Sequence, residues 1–392
     1  MNIRFLAQFE YFNGVHLKDD IILEKEYEAA SFENVPKVHY YLYYLEENVR
    51  KEVMPYSDKV DIFQITDCVY DSDYLYFTEY NDMLDGTYTF NIIKYNFTDH
   101  THKKIITLKD DINLYPNNKQ IKIFILDDSN LIVQRAMPKK STTSSGVGFH
   151  DFSLILFNFD KNKQIVIKDE ELNKSGIDFI TPYSENNCIV KTGYSIFDSG
   201  VSSEEDASIE KLLQLNISQF ISDLQLEDPS LVYNTIDQCF YDNTILKARM
   251  LEGYLIYSKY NHDDNEESII FYNLETKESY KCINKSTHKH SMLNFATIID
   301  EVPYMLMKGS SGTQFLNLFT DEVDNVYPAD YDIQFVNNTT IVSTVTEKNF
   351  WNKPKDYVAI IRYPSKKVIL EERGDYIGAI ASNKDTTYIF LK

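Results

Sequence analysis

Four successive segments decide the fold: VDIFQITDCVY (60–70), DYLYFTEYN (73–81), TYTFNIIKYNF (87–97) and KKIITLK (103–109). Each is rich in aromatic and β-branched residues, which favour strands. Between them stand Asp, Asn, Ser and Gly, the usual turn residues. The pattern predicts four strands joined by turns. The segments KIFILDD, NLIVQRA, FSLILFNF and QIVIK predict a second set of four directly afterwards.

A short apolar-Asn-apolar step recurs where a third strand ends and turns into a fourth. The clear copies are Tyr95-Asn96-Phe97, Phe157-Asn158-Phe159, Tyr272-Asn273-Leu274 and Leu316-Asn317-Leu318. Two degenerate copies, Tyr44-Leu45-Glu46 and Arg362-Tyr363-Pro364, keep the same register, and Leu215-Asn216-Ile217 fills the remaining gap. The intervals between copies suit a repeat of four strands with their loops.

In this repeated step, residues 36–392 resemble the β-propeller superfamily at the level of architecture. The ends fit as well, because YIGAIAS and TYIFLK supply two strands near the carboxyl terminus, and VHYYLYYLEE and RKEVM supply a third and fourth near the amino terminus. The resemblance implies an all-β, seven-bladed β-propeller closed by amino- and carboxyl-terminal strands that share one blade. No WD40 or kelch signature is present, so no functional residue is carried over from a family.

Two boundaries of this architecture stay open. Six blades follow if the region around Leu215 is an insertion, since Ser203-Glu204-Glu205-Asp206 before IEKLLQL is typical of an N-cap and a short amphipathic helix. Residues 1–35 lie outside the repeat and are expected to form an N-terminal extension, either a hairpin or an extra strand pair. Residues 36–392 are then a single propeller domain.

The charge balance limits the classes of partner. There are 60 Asp and Glu against 39 Lys and Arg, a formal net charge of -21, which repels phosphate backbones and anionic lipid surfaces. Nucleic acid and membranes are therefore not expected as partners. The four cysteines, Cys68, Cys188, Cys239 and Cys282, form no CxxC pair, and neither a signal peptide nor a membrane span is evident. We predict a cytoplasmic protein with reduced thiols and no cofactor.

Long loops between second and third strands predict where binding takes place, because functional residues concentrate on loops held by a rigid scaffold. The loop at 346–356 holds Phe350, Lys353 and Trp351, the only tryptophan. Tyr80 and Lys139 lie in equivalent loops. These five residues are predicted to contact a protein or peptide partner, which makes the protein a non-enzymatic binding module. The alternatives are a carbohydrate-active hydrolase or lyase with carboxylates at the propeller mouth, and a sugar-binding module.

Two histidine-rich segments raise the question of a metal site. His288 and His290 follow one blade, and His262 and Asp263 lie in a long loop of that blade, so the four side chains form a candidate zinc or nickel site. The other interpretation is an ordinary polar turn, which Lys289 between the two imidazoles favours. His100 and His102, in the turn between a third and a fourth strand, are predicted to be solvent-exposed turn residues.

Overall fold

A computed structural model of the chain describes residues 2–6, 14–28, 37–57, 60–83, 88–108, 121–138, 150–193, 210–224, 233–239, 243–261, 263–284, 296–309, 312–328, 331–337, 340–347, 355–363, 365–381 and 386–392. By their internal contacts these residues form two units. One comprises residues 14–241, and the other comprises residues 1–13 together with 242–392.

The secondary structure is almost entirely strand. Up to residue 241 the elements are β1 (Asn2–Leu6), β2 (Gly14–Lys18), β3 (Ile21–Tyr27), β4 (Val38–Tyr44), β5 (Val49–Glu52), β6 (Val60–Tyr70), β7 (Tyr74–Met83), β8 (Tyr88–Asn96), β9 (His102–Leu108), β10 (Ile121–Asp127), β11 (Asn130–Pro138), β12 (His150–Asn158), β13 (Lys163–Ile167), α1 (Glu170–Ser175), β14 (Ile177–Ser184), β15 (Asn187–Thr192), β16 (Glu210–Asn216), α2 (Ile217–Asp223) and β17 (Asn234–Cys239).

The remaining elements are all strands. They are β18 (Asn243–Leu251), β19 (Tyr254–Asn261), β20 (Glu266–Asn273), β21 (Ser279–Asn284), β22 (Ala296–Ile299), β23 (Val302–Gly309), β24 (Gly312–Asn317), β25 (Glu322–Pro328), β26 (Tyr331–Asn337), β27 (Thr340–Glu347), β28 (Lys355–Arg362), β29 (Lys367–Arg373), β30 (Tyr376–Ala381) and β31 (Thr386–Leu391).

The strands from β2 to β29 form seven antiparallel sheets of four consecutive strands each, in sequential order. Four of these sheets belong to residues 14–241 and three to the other unit. An eighth sheet has the order β1-β31-β30, in which β1 pairs parallel with β31 from Asn2 opposite Thr386 to Leu6 opposite Phe390. The prediction of an all-β β-propeller is confirmed.

The predicted blade counts of seven and six are both wrong, because the described residues form eight sheets. VHYYLYYLEE and RKEVM do supply a third and a fourth strand, β4 and β5. Their partners, however, are β2 and β3, which come from residues 14–27 and complete a separate sheet. The two carboxyl-terminal strands take β1 as their third strand instead, and this adds one sheet to the predicted seven.

The helix predicted within IEKLLQL is also wrong, because the residues of this segment from Glu210 onward form strand β16. Its leucines Leu212, Leu213 and Leu215 are buried, and the strand pairs with β15 and β17. The helix α2 starts immediately afterwards, with Asn216 as its N-cap: the Asn216 side chain accepts a hydrogen bond from the backbone nitrogen of Gln219 at 2.9 Å. Leu215-Asn216-Ile217 is therefore a true copy of the repeat, which removes the reason for a sixfold count.

The asparagine side chain explains why the repeated step has the same geometry in several copies within the chain. The Oδ1 atom of Asn96 accepts the backbone nitrogens of Thr98 at 2.7 Å and Asp99 at 3.2 Å. Asn273 and Asn317 accept backbone nitrogens two and three residues further on in the same way. An Asn side chain that bonds to its own following backbone stabilises a turn without help from distant residues.

The apolar residue after the asparagine ties this turn to the first turn of its sheet. The backbone nitrogen of Phe97 donates to the carbonyl of Asp73 at 3.0 Å, that of Phe159 to Ser129 at 2.8 Å, and that of Leu318 to Pro303 at 3.0 Å. The degenerate copy Tyr44-Leu45-Glu46 is shifted by one residue from the predicted register: its middle residue, Leu45, makes the equivalent bond to Asp20 at 2.8 Å, and Tyr44 stands in the place of the asparagine. The turns between strands one and two and between strands three and four are thus linked at one end of each sheet, and the long loops lie at the other end.

The hydrophobic core consists of separate clusters between successive sheets. In the unit of residues 14–241, for example, Phe77 packs with Leu42 of the preceding sheet, while Tyr76, from the other face of β7, packs with Ile123 of the following sheet. This alternation follows from the strand period of two, which sends neighbouring side chains to opposite faces. Within the described residues, no helix is both long and apolar enough to cross a membrane.

A glycine after helix α1 gives the first testable prediction. Gly176 has φ 66° and ψ 168°, a conformation that other residues avoid, and an added Cβ would lie 2.7 Å from the Phe152 ring. We expect Gly176→Ala to lower the free energy of unfolding by about 2 kcal/mol. Gly253→Ala is the matched control, because Gly253 has φ 82° but open space around it, and should cost only about 1 kcal/mol. Equal losses in urea unfolding would show that the contact with Phe152 is relieved at no cost.

Candidate functional site

The first strands of the four sheets in residues 14–241 enclose a cavity of about 990 Å³. The strands are β2, β6, β10 and β14, of which β10 contacts both β6 and β14. The cavity lies where these strands end and turn into the second strands. Part of its wall is apolar, with Leu17 and Leu126 buried and Ile180 beside them. We call it the acidic cavity because of the residues at its rim.

Four carboxylates line the acidic cavity: Asp71, Asp127, Asp128 and Glu185. No Lys or Arg is among the residues that line it in the described part of the chain. Tyr70, with 44% of its surface exposed, adds an aromatic ring to the rim. A concave site with one sign of charge concentrates ligands of the opposite sign, and a low-dielectric wall strengthens the effect.

Two of the four carboxylates have a structural task. Asp71 accepts the backbone nitrogens of Asp73 at 2.8 Å and Tyr74 at 2.7 Å, and its second oxygen accepts the Tyr76 hydroxyl at 3.0 Å. Asp127 similarly accepts the backbone nitrogen of Ser129 at 2.8 Å. These bonds fix the turns between first and second strands, so both carboxylates are held at the rim in a defined position.

The other two carboxylates are available to a ligand. The side chains of Asp128 and Glu185 are exposed and make no hydrogen bond to any residue that the structure describes. Asp128 lies in the turn after β10, and Glu185 in the turn after β14, so neighbouring sheets present them at the same rim. This arrangement suits a ligand with a cationic group, such as an ammonium or a guanidinium.

A series of charged side chains extends across neighbouring strands. In β10 and β14 it lies near the beginning of the strand. We call it the charged row; it consists of Asp67, Lys122, Asp178, Lys191 and Glu210. The Lys122 ammonium lies 3.4 Å from an Asp178 carboxylate oxygen, and the Lys191 ammonium lies 2.9 Å from the other oxygen. Lys191 also lies 3.9 Å from Glu210. The row connects β10, β14, β15 and β16 by charges of alternating sign.

The two aspartates of the charged row have pKa values shifted in opposite directions. Burial raises the pKa of Asp67 to about 6, although its carboxylate accepts the backbone nitrogen of Ile123 at 2.9 Å. Burial alone would also raise the pKa of Asp178, but the ammonium groups of Lys191 and Lys122 outweigh it and hold the pKa below its ordinary value. Asp178 is therefore a firmly ionised member of the row, and Asp67 titrates near neutrality.

Of the five residues predicted to bind a partner, the structure describes only Tyr80. Phe350, Trp351, Lys353 and Lys139 are outside the described residues, so their role stays a prediction. Tyr80 is 8% exposed and packs its ring against Phe90 at 5.0 Å between centroids. The structure thus places Tyr80 in the hydrophobic core between two sheets.

The candidate metal site is described only at one position. Asp263 lies in an exposed turn, while His262, His288 and His290 are outside the described residues. Among the described residues, no group of three or more His, Cys, Asp and Glu side chains is arranged to hold a metal ion. The zinc or nickel site stays a prediction for the segments around these histidines.

The prediction that His100 is solvent-exposed is wrong. His100 does lie in the turn between a third and a fourth strand, with φ 61°. Its ring is half-buried, because Nδ1 lies 3.2 Å from the Tyr95 hydroxyl and 3.4 Å from that of Tyr44, and Nε2 contacts the Lys51 ammonium. Burial and the Lys51 charge lower the pKa of His100 and so favour the neutral ring. The contacts of this neutral ring stabilise the turn. His102 is exposed, as predicted.

Sequence reasoning missed the acidic cavity because it regarded the short turns as mere connections. A signal was present, since the turns after three consecutive first strands contain Asp71-Ser72-Asp73, Asp127-Asp128-Ser129 and Glu185-Asn186. Turns are often acidic for structural reasons, so the pattern becomes informative only when the first strands are known to lie side by side.

The comparisons with known proteins concern the fold. No protein-family model matches the sequence, and no curated protein matches it. Among solved structures, the chain is similar to Porphyromonas gingivalis dipeptidyl peptidase 4, with 12% identity and a TM-score of 0.51 over 95% of this chain and 56% of that one. It also matches an oligogalacturonate lyase in complex with manganese (12% identity, TM-score 0.47, 91% and 90% coverage). A third match is prolyl oligopeptidase B from Galerina marginata (9% identity, TM-score 0.46, 96% and 54% coverage).

The first of these similarities supports the propeller fold and no particular activity, because its identity is far below the level at which function is shared. The chain spans little more than half the length of that peptidase. The function therefore has to be argued from the site itself.

Proposed function

We propose that the protein is a non-enzymatic binding protein for a protein or peptide partner, and that the acidic cavity receives a basic group of that partner. The observation that supports this most is the pair Asp128 and Glu185, two exposed carboxylates without hydrogen bonds among the described residues, at the rim of a cavity of about 990 Å³. Cavities of this size accommodate a side chain or a short chain segment.

The chemistry around the cavity supports binding better than hydrolysis. Ser129 donates its hydroxyl to Asp160 at 2.6 Å, so a carboxylate at the surface rather than a histidine holds it. Burial raises the pKa of the Cys68 thiol to about 12, which keeps it protonated and weakly nucleophilic. Asp71 and Asp127 are engaged in turn hydrogen bonds, and this leaves Asp128 and Glu185 as attractive charges for a cation.

The aromatic ring of Tyr70 supports the choice of a peptide as ligand. Tyr70 stands at the rim with 44% of its surface exposed, and Val15 nearby is 56% exposed. Exposed tyrosine next to carboxylates is well suited to arginine, whose guanidinium stacks on aromatic rings while it pairs with an anion. We therefore expect arginine to be preferred over lysine.

The test is a titration of the protein with a short peptide of alternating arginine and glycine, in which binding is measured by isothermal calorimetry. The double variant Asp128→Asn, Glu185→Gln is expected to weaken binding by about tenfold, or about 1.4 kcal/mol. Added salt should weaken binding to the unmodified protein, because the charges at the rim are exposed. The matched control Asp264→Asn, Glu275→Gln removes the same charge at exposed positions of the other unit and should bind as tightly as the unmodified protein.

Two outcomes would contradict the proposal. Equal losses in both double variants would mean that only the overall charge matters and that the cavity is not the site. Cleavage of the peptide, seen by mass spectrometry after incubation, would mean that the protein is an enzyme. The carbohydrate-active alternative is tested in parallel with acidic and neutral oligosaccharides, where release of reducing ends identifies a hydrolase or lyase and binding without release identifies a sugar-binding module.

A further inference from the structure

The unit formed by residues 1–13 and 242–392 contains a second cavity, of about 440 Å³. It is lined by the first strands of its four sheets, β18, β22, β26 and β30. We call it the arginine cavity. Its wall is largely apolar, with side chains such as Ile298, Leu306, Ile333 and Phe335. The volume is within the range of small-molecule sites in proteins.

One cationic side chain, that of Arg249, is largely but not fully buried in this apolar wall. Its Nη2 atom donates to the backbone carbonyl of Ala296. Its Nε atom is inaccessible to solvent and has no hydrogen-bond acceptor among the residues that the structure describes. Burial lowers the pKa of Arg249. Within the described residues, Arg249 has no ion-pair partner, although the chain carries a large excess of acidic residues.

A buried guanidinium with so few partners is costly in free energy. Structural arginines in protein interiors are normally paired with a carboxylate or surrounded by carbonyl groups. Leucine or methionine would pack in this apolar wall without that cost. The presence of Arg249 there therefore points to a ligand that supplies the missing hydrogen-bond acceptors.

The other polar groups of the cavity fit an anionic acceptor as well. Burial raises the pKa of Tyr376 to about 12, so its hydroxyl is a neutral hydrogen-bond donor at physiological pH. The buried Thr297 adds a second hydroxyl. Lys247, two residues before Arg249 on the same strand face, is exposed.

Negative charge among the residues that line the cavity limits which anions fit. Glu252 lines the cavity, and burial together with the charges of Asp300 and Glu301 raises its pKa. A cluster of carboxylates at the end of strand β18 repels ligands with several negative charges. Phosphate groups are therefore disfavoured, and a single carboxylate with an uncharged body is favoured.

We infer that the arginine cavity binds an organic monocarboxylate with an apolar body, whose carboxylate pairs with Arg249 and whose body contacts Leu251, Ile333 and Phe335. Two sources offer this chemistry: a free aliphatic or aromatic acid, and the terminal carboxylate of a peptide that ends in an apolar residue. The inference does not depend on the acidic cavity, which lies in the other unit.

The experiment compares octanoate with octanamide, which has the same body without the charge, and Gly-Gly-Leu with its carboxyl-terminal amide. Binding is measured by calorimetry and by the ligand-induced rise in melting temperature. We expect the carboxylate of at least one pair to bind, and its amide to bind at least tenfold more weakly. Preference for octanoate identifies a free acid as the source, and preference for the peptide identifies a chain terminus.

Variants then assign the site. Arg249→Met removes the charge at similar volume and should weaken binding of the carboxylate at least tenfold. The melting temperature of the free protein should stay equal or rise, because an uncompensated charge is removed. Tyr376→Phe should weaken binding severalfold. Lys281→Met, an exposed lysine on the outer strand β21, is the control for charge and should have no effect.

Three results would overturn the inference. One is the absence of binding by either carboxylate at millimolar concentration. Another is equal binding of acid and amide. The third is unchanged affinity in Arg249→Met or, if that variant does not fold, in both Arg249→Lys and Tyr376→Phe. The lysine variant keeps the charge but loses the planar two-point contact with a carboxylate, so it should bind at least fivefold more weakly.

Discussion

Replacement of Asp178 by leucine is expected to lower the free energy of unfolding by about 3–5 kcal/mol, the typical cost of removing one partner from a buried ion pair. The reason is Lys191, whose side chain is only 4% exposed and whose ammonium lies 2.9 Å from the Asp178 carboxylate. Without Asp178 the nearest carboxylate among the described residues is that of Glu210 at 3.9 Å. A buried ammonium with so weak a partner has to be neutralised or drawn toward solvent.

The measurement is urea unfolding of Asp178→Leu, of Lys191→Met and of the double variant. The double variant should recover a large part of the loss, because it removes both charges and leaves two apolar side chains of suitable size. Asp264→Leu, in an exposed turn, is the control and should change stability little. If the double variant is as unstable as the sum of the single ones, the ion pair does not act as a unit.

The dependence on pH has a definite sign. The pKa of Asp178 is below its ordinary value in the folded protein, so the stabilisation is complete above the unfolded pKa of about 3.9 and is lost as the pH falls through the folded value. The difference between the unmodified protein and Asp178→Leu should therefore be constant near neutrality and diminish in acid.

Replacement of Asp67 by asparagine is expected to have the opposite effect, a stabilisation of about 2–3 kcal/mol at pH 8. Burial raises the pKa of Asp67 to about 6, about two units above the value in an unfolded chain, and each unit corresponds to about 1.4 kcal/mol. Asparagine removes the buried charge and keeps an oxygen that can accept the backbone nitrogen of Ile123, now bonded at 2.9 Å.

Because the folded pKa of Asp67 is raised, the folded protein binds this proton more tightly than the unfolded chain does. Its contribution to stability therefore improves mainly as the pH falls from about 6 to about 4, and below about pH 3 the carboxyl group is neutral in both states. The advantage of Asp67→Asn should accordingly shrink over this range and vanish near pH 3. Loss of stability at pH 8 would show that the attraction between Asp67 and Lys122 exceeds the cost of burial. Asp264→Asn, at an exposed position, should show no such trend.

The sequence predicts those parts of the fold that depend on local interactions. The apolar-Asn-apolar step marks turns correctly because the Asn side chain bonds to backbone nitrogens two or three residues away, as Asn96 does. These contacts need nothing from distant residues, so their pattern remains visible in the sequence.

The blade count could not be obtained in the same way. Strands β2 and β3 carry His, Lys and Glu among their apolar residues, and they precede the first copy of the repeat. Only their pairing with β4 and β5 shows that they complete a blade. The cavities are likewise formed by first strands of successive sheets, and no pattern within a single strand indicates which side chains will meet there. For this reason the sequence alone does not indicate that Asp128, Glu185 and Arg249 are candidate binding residues.

The parallel pairing of β1 with β31 has a consequence for how the chain folds. Asn2 is held opposite Thr386, so β1 is synthesised long before its only described neighbour exists. Every other strand finds a partner close to it in sequence, and such local contacts form early. During translation the other sheets can form while β31 has not yet been synthesised, and the backbone hydrogen-bonding groups of β1 then lack their strand partner. The sheet that contains it is therefore expected to be the last to form, and a chain interrupted before residue 386 would leave β1 available to pair with a neighbouring molecule.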